Sequence, residues 1–155
     1  MGQVETWQPG MFERPCGGCT ACCKAFGVPE LNKPKGTWCQ HCTVGRECQI
    51  YAGRPEPCRD FYCLWKVMPD FPEELRPDRC KVVWTMTEDG STAVATTEYP
   101  KALQGKAQER LIRQFSRAGI SVVVVRERPN QTAQAWLAPG ESGAEVTQGL
   151  VAKAS

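Results

Sequence analysis

The chain reads as an α+β protein in two unlike parts: an irregular cysteine-rich module, then a small antiparallel ββαββ sheet with one packed helix. Three observations predict this. Nine of the ten cysteines fall between Cys16 and Cys63, a stretch with four prolines and few periodic apolar runs. Beyond residue 79 the pattern turns regular, with β-branched runs on either side of one amphipathic segment. Between the two lies Val-Met-Pro-Asp-Phe-Pro-Glu-Glu-Leu-Arg-Pro-Asp-Arg, a proline-punctuated connector over residues 67–79. The expected organisation is a module over 1–66 with its core at 16–63, the connector at 67–79, an α+β layer at 80–138 and a fraying tail at 139–155.

The regular half is justified element by element. Lys81–Met86 and Ser91–Thr97 flank Glu88-Asp89-Gly90 and read as a hairpin. Pro100 suits the first turn of a helix, because its missing N–H is one that a helix start leaves unbonded. Leu103, Ala107, Leu111, Ile112, Phe115 and Ala118 recur mostly at spacings of three and four and make one apolar stripe. Gly119 stands where a left-handed cap ends a helix. Ile120–Val125 reads as a strand, Pro129-Asn130 as a turn and Thr132–Leu137 as a further strand. In the tail, Val146–Val151 has the composition for one short helix.

The cysteine-rich half offers little apolar surface to bury, so something else must order it. Segments of this size rarely offset their own ordering entropy with a hydrophobic core. Disulfides or metal ligation are the two candidates. The N-terminal residues show no basic, apolar and cleavage-site succession of a secretory signal, and no apolar run approaches the length of a membrane helix. The expectation is a cytoplasmic chain, where disulfides are rare. A structural zinc contributes about 10–16 kcal/mol of apparent folding free energy, enough for such a segment.

The spacing supports ligation. Cys16-x2-Cys19 and Cys19-x2-Cys22 place successive sulfurs within one turn, and Cys23 follows at once. Adjacent residues do not readily share one tetrahedral ion, so Cys22 and Cys23 point to two ions or to one polynuclear cluster. Cys39-Gln-His-Cys42 adds another x2 pair, followed by Cys48, Cys58 and Cys63. Arg54, Arg59 and the backbone of Gly17 and Gly18 are placed in sequence to offset thiolate charge, and Tyr51, Phe61, Tyr62 and Trp65 to pack over the site. Cys80 stands apart, beyond the connector, and reads as a buried free thiol.

The opening Cys16-x2-Cys19-x2-Cys22-Cys23, then Cys39, then Cys48-Gln-Ile-Tyr-Ala-Gly-Arg-Pro-Glu-Pro-Cys58-Arg-Asp-Phe-Tyr-Cys63, resembles the YkgJ-type cysteine-cluster family over residues 14–66. That family is described as carrying a zinc- or iron-chelating domain. The resemblance implies Cys16, Cys19, Cys22, Cys23, Cys39, Cys48, Cys58 and Cys63 as metal ligands, with Cys42 and His41 additional to the pattern. It implies a metal far more specifically than an activity.

Zinc is the favoured ion, because paired all-thiolate ligands in a reducing compartment suit it. Iron or an iron–sulfur cluster is the rival. The Cys-x2-Cys-x2-Cys start is that of bacterial ferredoxins, although Cys23 breaks the following x3 spacing and no proline follows it. Copper is a third soft-metal option. The leading expectation is a structural metal module supporting the binding of metal ions or a protein partner. The alternative is an iron–sulfur protein in electron transfer or within an oxidoreductase. A formal charge of +2 with no basic helix face argues against nucleic acid. Conventional hydrolytic chemistry has little support, since His41 is the only histidine and no Gly-x4-Gly-Lys-Ser/Thr loop or Gly-x-Gly-x2-Gly fingerprint is present.

Overall fold

Among the described residues of the cysteine-rich half, short helices and tight turns prevail, since prolines and glycines interrupt the longer runs. In the computed structural model the described residues are 19–35, 37–49, 63–68, 71–87, 89–128 and 131–137. Helix α1 (Ala21–Ala25) is followed by a 3₁₀ turn at Pro29–Leu31 and by the two-residue strands β1 (Cys42–Thr43) and β2 (Glu47–Cys48). Next come helices α2 (Leu64–Val67) and α3 (Pro77–Cys80), the strands β3 (Val83–Met86) and β4 (Thr92–Thr97), and helix α4 (Lys106–Arg117). The strands β5 (Ser121–Arg128) and β6 (Gln131–Trp136) complete the order.

The expected ββαββ succession is present, but the sheet is mixed and not antiparallel. Its order is β3-β4-β5-β6, with antiparallel outer pairs and a parallel central pair, β4 with β5, in register from Thr92↔Ser121 to Thr97↔Arg126. The reason is the helix. A tight hairpin reverses the chain, whereas a crossover through α4 returns it to the starting end, so the next strand runs the same way. The α+β class stands in its coarse form, a four-stranded sheet with few helices.

The apolar stripe packs as its spacing requires: Leu111, Ile112 and Phe115 of α4 are buried, and Phe115 meets Trp84 of β3 with ring centroids 5.6 Å apart. Leu103 is buried too, but in a 3₁₀ turn over Pro100–Gln104, because Gly105 takes an extended conformation and restarts the helix. Gly119, at φ 75°, closes α4 with both bonds of a Schellman end, Ile120 N–H to Phe115 O at 2.9 Å and Gly119 N–H to Ser116 O at 3.1 Å. Between β3 and β4, Asp89 Oδ1 accepts from Ser91 N–H at 3.0 Å and Thr87 Oγ1–H at 2.8 Å, tightening the predicted turn.

The core crosses the expected boundary near residue 66. Cys63, Leu64, Trp65, Phe71 and Leu75 pack with Val82, Trp84, Ala93, Val122 and Val124 in one buried cluster. The stretch expected as a connector holds a 3₁₀ turn at Glu73–Leu75 and α3, with Phe71, Leu75 and Pro77 buried. The expected Pro129-Asn130 turn and the tail with its short helix lie outside the described residues. Among the described residues no helix is long and apolar enough to cross a membrane.

Candidate functional site

Two chain segments bring thiols together. Helix α1 presents Cys22 and Cys23, and the Cys39-x2-Cys42 turn folds onto it through Cys39 N–H to Cys23 O at 3.1 Å. Cys42 N–H then bonds Cys39 O at 3.1 Å, and His41 N–H points at Cys39 Sγ at 3.5 Å. An N–H aimed at sulfur two residues back is the kind of contact found around sulfur ligands. The β1–β2 hairpin follows, pairing Cys42 with Cys48 across the strands. Its turn needs Gly45, at φ 76°, with Arg46 N–H on Thr43 O at 2.9 Å, and Gly45 N–H bonds Thr20 Oγ1 at 3.0 Å at the start of α1.

Cys23 sits at the middle of this group. The adjoining Cys22 thiol and burial push its pKa far above the ordinary thiol value, while a hydrogen bond from Cys42 and the charge of Lys33 pull the other way. Burial and the neighbouring Cys23 hold Cys42 up to about 11, and Cys39 adds to that shift. Cys23 and Cys42 therefore resist ionisation through burial and through neighbouring thiols. A divalent cation reverses this, since it makes the clustered thiolates the favoured state.

Lys33 was not singled out by the sequence. It is 8% exposed, and its ammonium donates to Phe26 O and, at 3.3 Å each, to the carbonyls of Lys24 and Pro34. Asn32, at φ 51°, turns the chain so that Val28 and Lys33 pair as an antiparallel bridge, with Val28 N–H on Lys33 O at 2.9 Å. That bridge delivers a cation to the end of α1 beside Cys23. The signal in the sequence, one lysine among several in a proline-rich stretch, does not separate it from solvated neighbours.

Cys19 faces another way, toward α3. Burial raises its pKa, opposed by the backbone N–H groups of Ala21 and Asp78 and by the Arg76 charge. Burial works against the Arg76 charge as well, but the Asp78 carboxylate and Cys19 outweigh it, and Arg76 Nη2 bonds Asp78 Oδ2 at 2.7 Å. Arg76 also lies over the Trp65 ring, 5.9 Å from its centroid. Cys63 is buried at the start of α2 within the core. Cys80 is half-buried, with its thiol directed at the carbonyls of Leu75 and Val82 at 3.4 and 3.3 Å.

Of the eight expected ligands, then, the fold gathers Cys22, Cys23 and Cys39 and sets the backbone of Cys48 opposite Cys42, a cysteine outside that set. Cys19 and Cys63 lie apart from the group, and Cys16 and Cys58 fall outside the described residues, as do Arg54, Arg59, Tyr51, Phe61, Tyr62, Gly17 and Gly18. Cys19, Cys22, Cys23, Cys39, Cys42 and Cys80 are thiols and not disulfides. Among the described residues no group of three or more His, Cys, Asp or Glu side chains converges on one point as ligands of an ion must. The donors have the right chemistry for zinc or iron, and the described part of the set is geometrically incomplete. The His41 ring Nε2 lies 3.3 Å from the Gln40 amide nitrogen. The chain matches no protein-family model, no curated protein and no solved structure.

Proposed function

We propose that this protein binds zinc or iron through its cysteine cluster, as a structural metal module that supports metal or partner binding in the cytoplasm. The observation that carries the reading is the Cys39-x2-Cys42 turn folded onto α1 through Cys39 N–H to Cys23 O at 3.1 Å. It brings Cys22, Cys23, Cys39 and Cys42 into one neighbourhood, where Cys22 and Cys42 both act on the Cys23 thiol. Clustered neutral thiols forfeit solvation without the compensation that a cation gives, and Lys33 supplies only one nearby positive charge. The YkgJ-type resemblance of residues 14–66 supports the same conclusion. Zinc is preferred, since paired thiolates complete a closed tetrahedral site that suits structure over catalysis. When bound, the metal would cross-link α1 to the 39–48 turn and hairpin, elements too short to hold themselves.

An iron–sulfur cluster is the second reading, favoured by the Cys-x2-Cys-x2-Cys opening. Metal analysis and the visible spectrum of protein purified without oxygen separate the two. Colourless protein with stoichiometric zinc supports the structural module; iron with acid-labile sulfide and a brown colour supports electron transfer. Cys23→Ser and Cys42→Ser are expected to lose metal, and Cys80→Ser to keep it. Metal content unchanged in all three variants would overturn the proposal.

A further inference from the structure

Four large hydrophobic side chains are prominently exposed among the described residues: Trp38 at 40%, Val44 at 56%, Tyr99 at 54% and Trp136 at 57%. Three of them, Trp38, Val44 and Tyr99, line one cavity of about 450 Å³ between the cysteine module and the β3–β4 end of the sheet. Scattered surface hydrophobics need no explanation, but three converging on one concavity of ligand size do.

The charges around this cavity are mostly spent on each other. Lys24 bonds Glu98 at 2.6 Å and lies 5.8 Å from the centre of the Trp38 ring, which steadies that ring. Asp78 bonds Arg76 at 2.7 Å. Lys81 also lines the cavity, and among the described residues it makes no ion pair. Its backbone is left-handed, at φ 65°, held by Lys81 N–H on Pro77 O at 2.8 Å and by Thr97 Oγ1–H on Lys81 O at 2.7 Å. A left-handed lysine costs about 1–2 kcal/mol relative to glycine, so the position carries a cation where glycine would fit more readily.

We propose that this cavity binds a small aromatic monocarboxylate, with the ring among Trp38, Val44 and Tyr99 and the carboxylate on Lys81. The aromatic walls and Val44 provide apolar and ring contacts for a planar body. The lining carries Lys24, Lys81, Asp78 and Glu98; Lys24 pairs with Glu98, and Asp78 pairs with Arg76 from outside the lining. Lys81 is the lining cation that those pairs leave over, and it selects an anion over a neutral or cationic analogue. None of these residues is a thiol, so the ligand contacts differ from the metal contacts, although Trp38 and Val44 stand beside and within the 39–48 segment that the metal would order.

The test is a titration of the purified full-length protein with 3-phenylpropionate and indole-3-propionate, against 3-phenylpropionamide and tryptamine as neutral and cationic controls. Amide chemical shifts report the position and the dissociation constant. The carboxylates are expected to saturate below about 1 mM and to shift the resonances of Trp38, Val44, Tyr99 and Lys81. The neutral amide is expected to bind about fivefold more weakly, the scale of one partly exposed charge contact. Lys81→Gly suits the left-handed backbone, so it should fold normally and bring the acid and amide to equal affinity, while Lys81→Arg keeps the preference. No saturable shift up to about 5 mM, shifts that map elsewhere, equal binding of amide and acid by the unmutated protein, or tighter binding of tryptamine would each overturn the proposal.

Discussion

Replacing Lys33 by methionine tests the least expected part of the thiol site. Methionine keeps much of the buried stem and removes only the ammonium. Three carbonyls then lose a charged donor: those of Lys24, Phe26 and Pro34. Hydrogen bonds to charged groups contribute about 1.5–3 kcal/mol each, and a buried carbonyl left without its donor costs about 1–3 kcal/mol. The three share one donor and two of the contacts are long, so they do not add; about 2–4 kcal/mol is the expected total. For a chain of this size that lowers Tm by roughly 6–12 °C. Because Lys33 also lowers the pKa of Cys23, metal affinity is expected to fall by about 10–100-fold, as for other residues that support ligands without touching the ion. Urea and thermal unfolding give the first figure, and competition with a colorimetric chelator gives the second. Amide exchange at Val28 and Lys33 should rise with it, because that bridge holds the lysine in place. A stability change below about 0.5 kcal/mol would refute the reasoning, since it would mean that the carbonyls are satisfied without the lysine.

Further expectations concern the scaffold and its pH response. Phe115→Ala empties a fully buried site against Trp84 and should cost about 3–5 kcal/mol by denaturant unfolding, with a blue or red shift of tryptophan emission reporting the lost contact. Gly119→Ala forces a left-handed alanine into the end of α4 and should cost roughly 1–2 kcal/mol, whereas Gly105→Ala, whose backbone is extended, should be close to neutral. In metal-free protein the clustered thiols make stability fall with alkaline pH. The unfolded chain releases the Cys42 proton near 9.0 and the folded chain later, so the contribution of Cys42 is complete below about pH 9 and lost as pH rises through about 11. Cys42→Ser should flatten that decline, and an unchanged alkaline profile would show that the thiol is not held neutral by its surroundings.

Much of the sheet half was legible because its periodicities are local. Gly119 needed a positive φ, the β-branched hairpin strands flank Gly90, and Leu111, Ile112 and Phe115 fall on one face of any helix through them. Gln108 broke the pattern: it is 2% exposed on the same helix, and its Oε1 accepts from Trp84 Nε1 at 2.8 Å. A polar residue is buried there only because a tryptophan indole from another strand needs an acceptor, and no window along the helix contains that strand.

The amino-acid sequence by itself determined the α+β class, the ββαββ succession beyond residue 80, and the concentration of metal-competent sulfur in the first 63 residues. Those follow from spacing within a few residues, where backbone geometry links neighbours directly. The tertiary structure decided the parallel pairing of β4 with β5, the joining of Leu64–Leu75 to the sheet core, and the turning of Cys19 toward Arg76 and Asp78 while Cys23 meets Cys42. It also placed Lys33 beneath α1 and Lys81 on an aromatic-walled cavity. Each of these depends on which distant segments come to share one volume, and that is set by the direction in which a crossover returns the chain and by which buried groups find partners there.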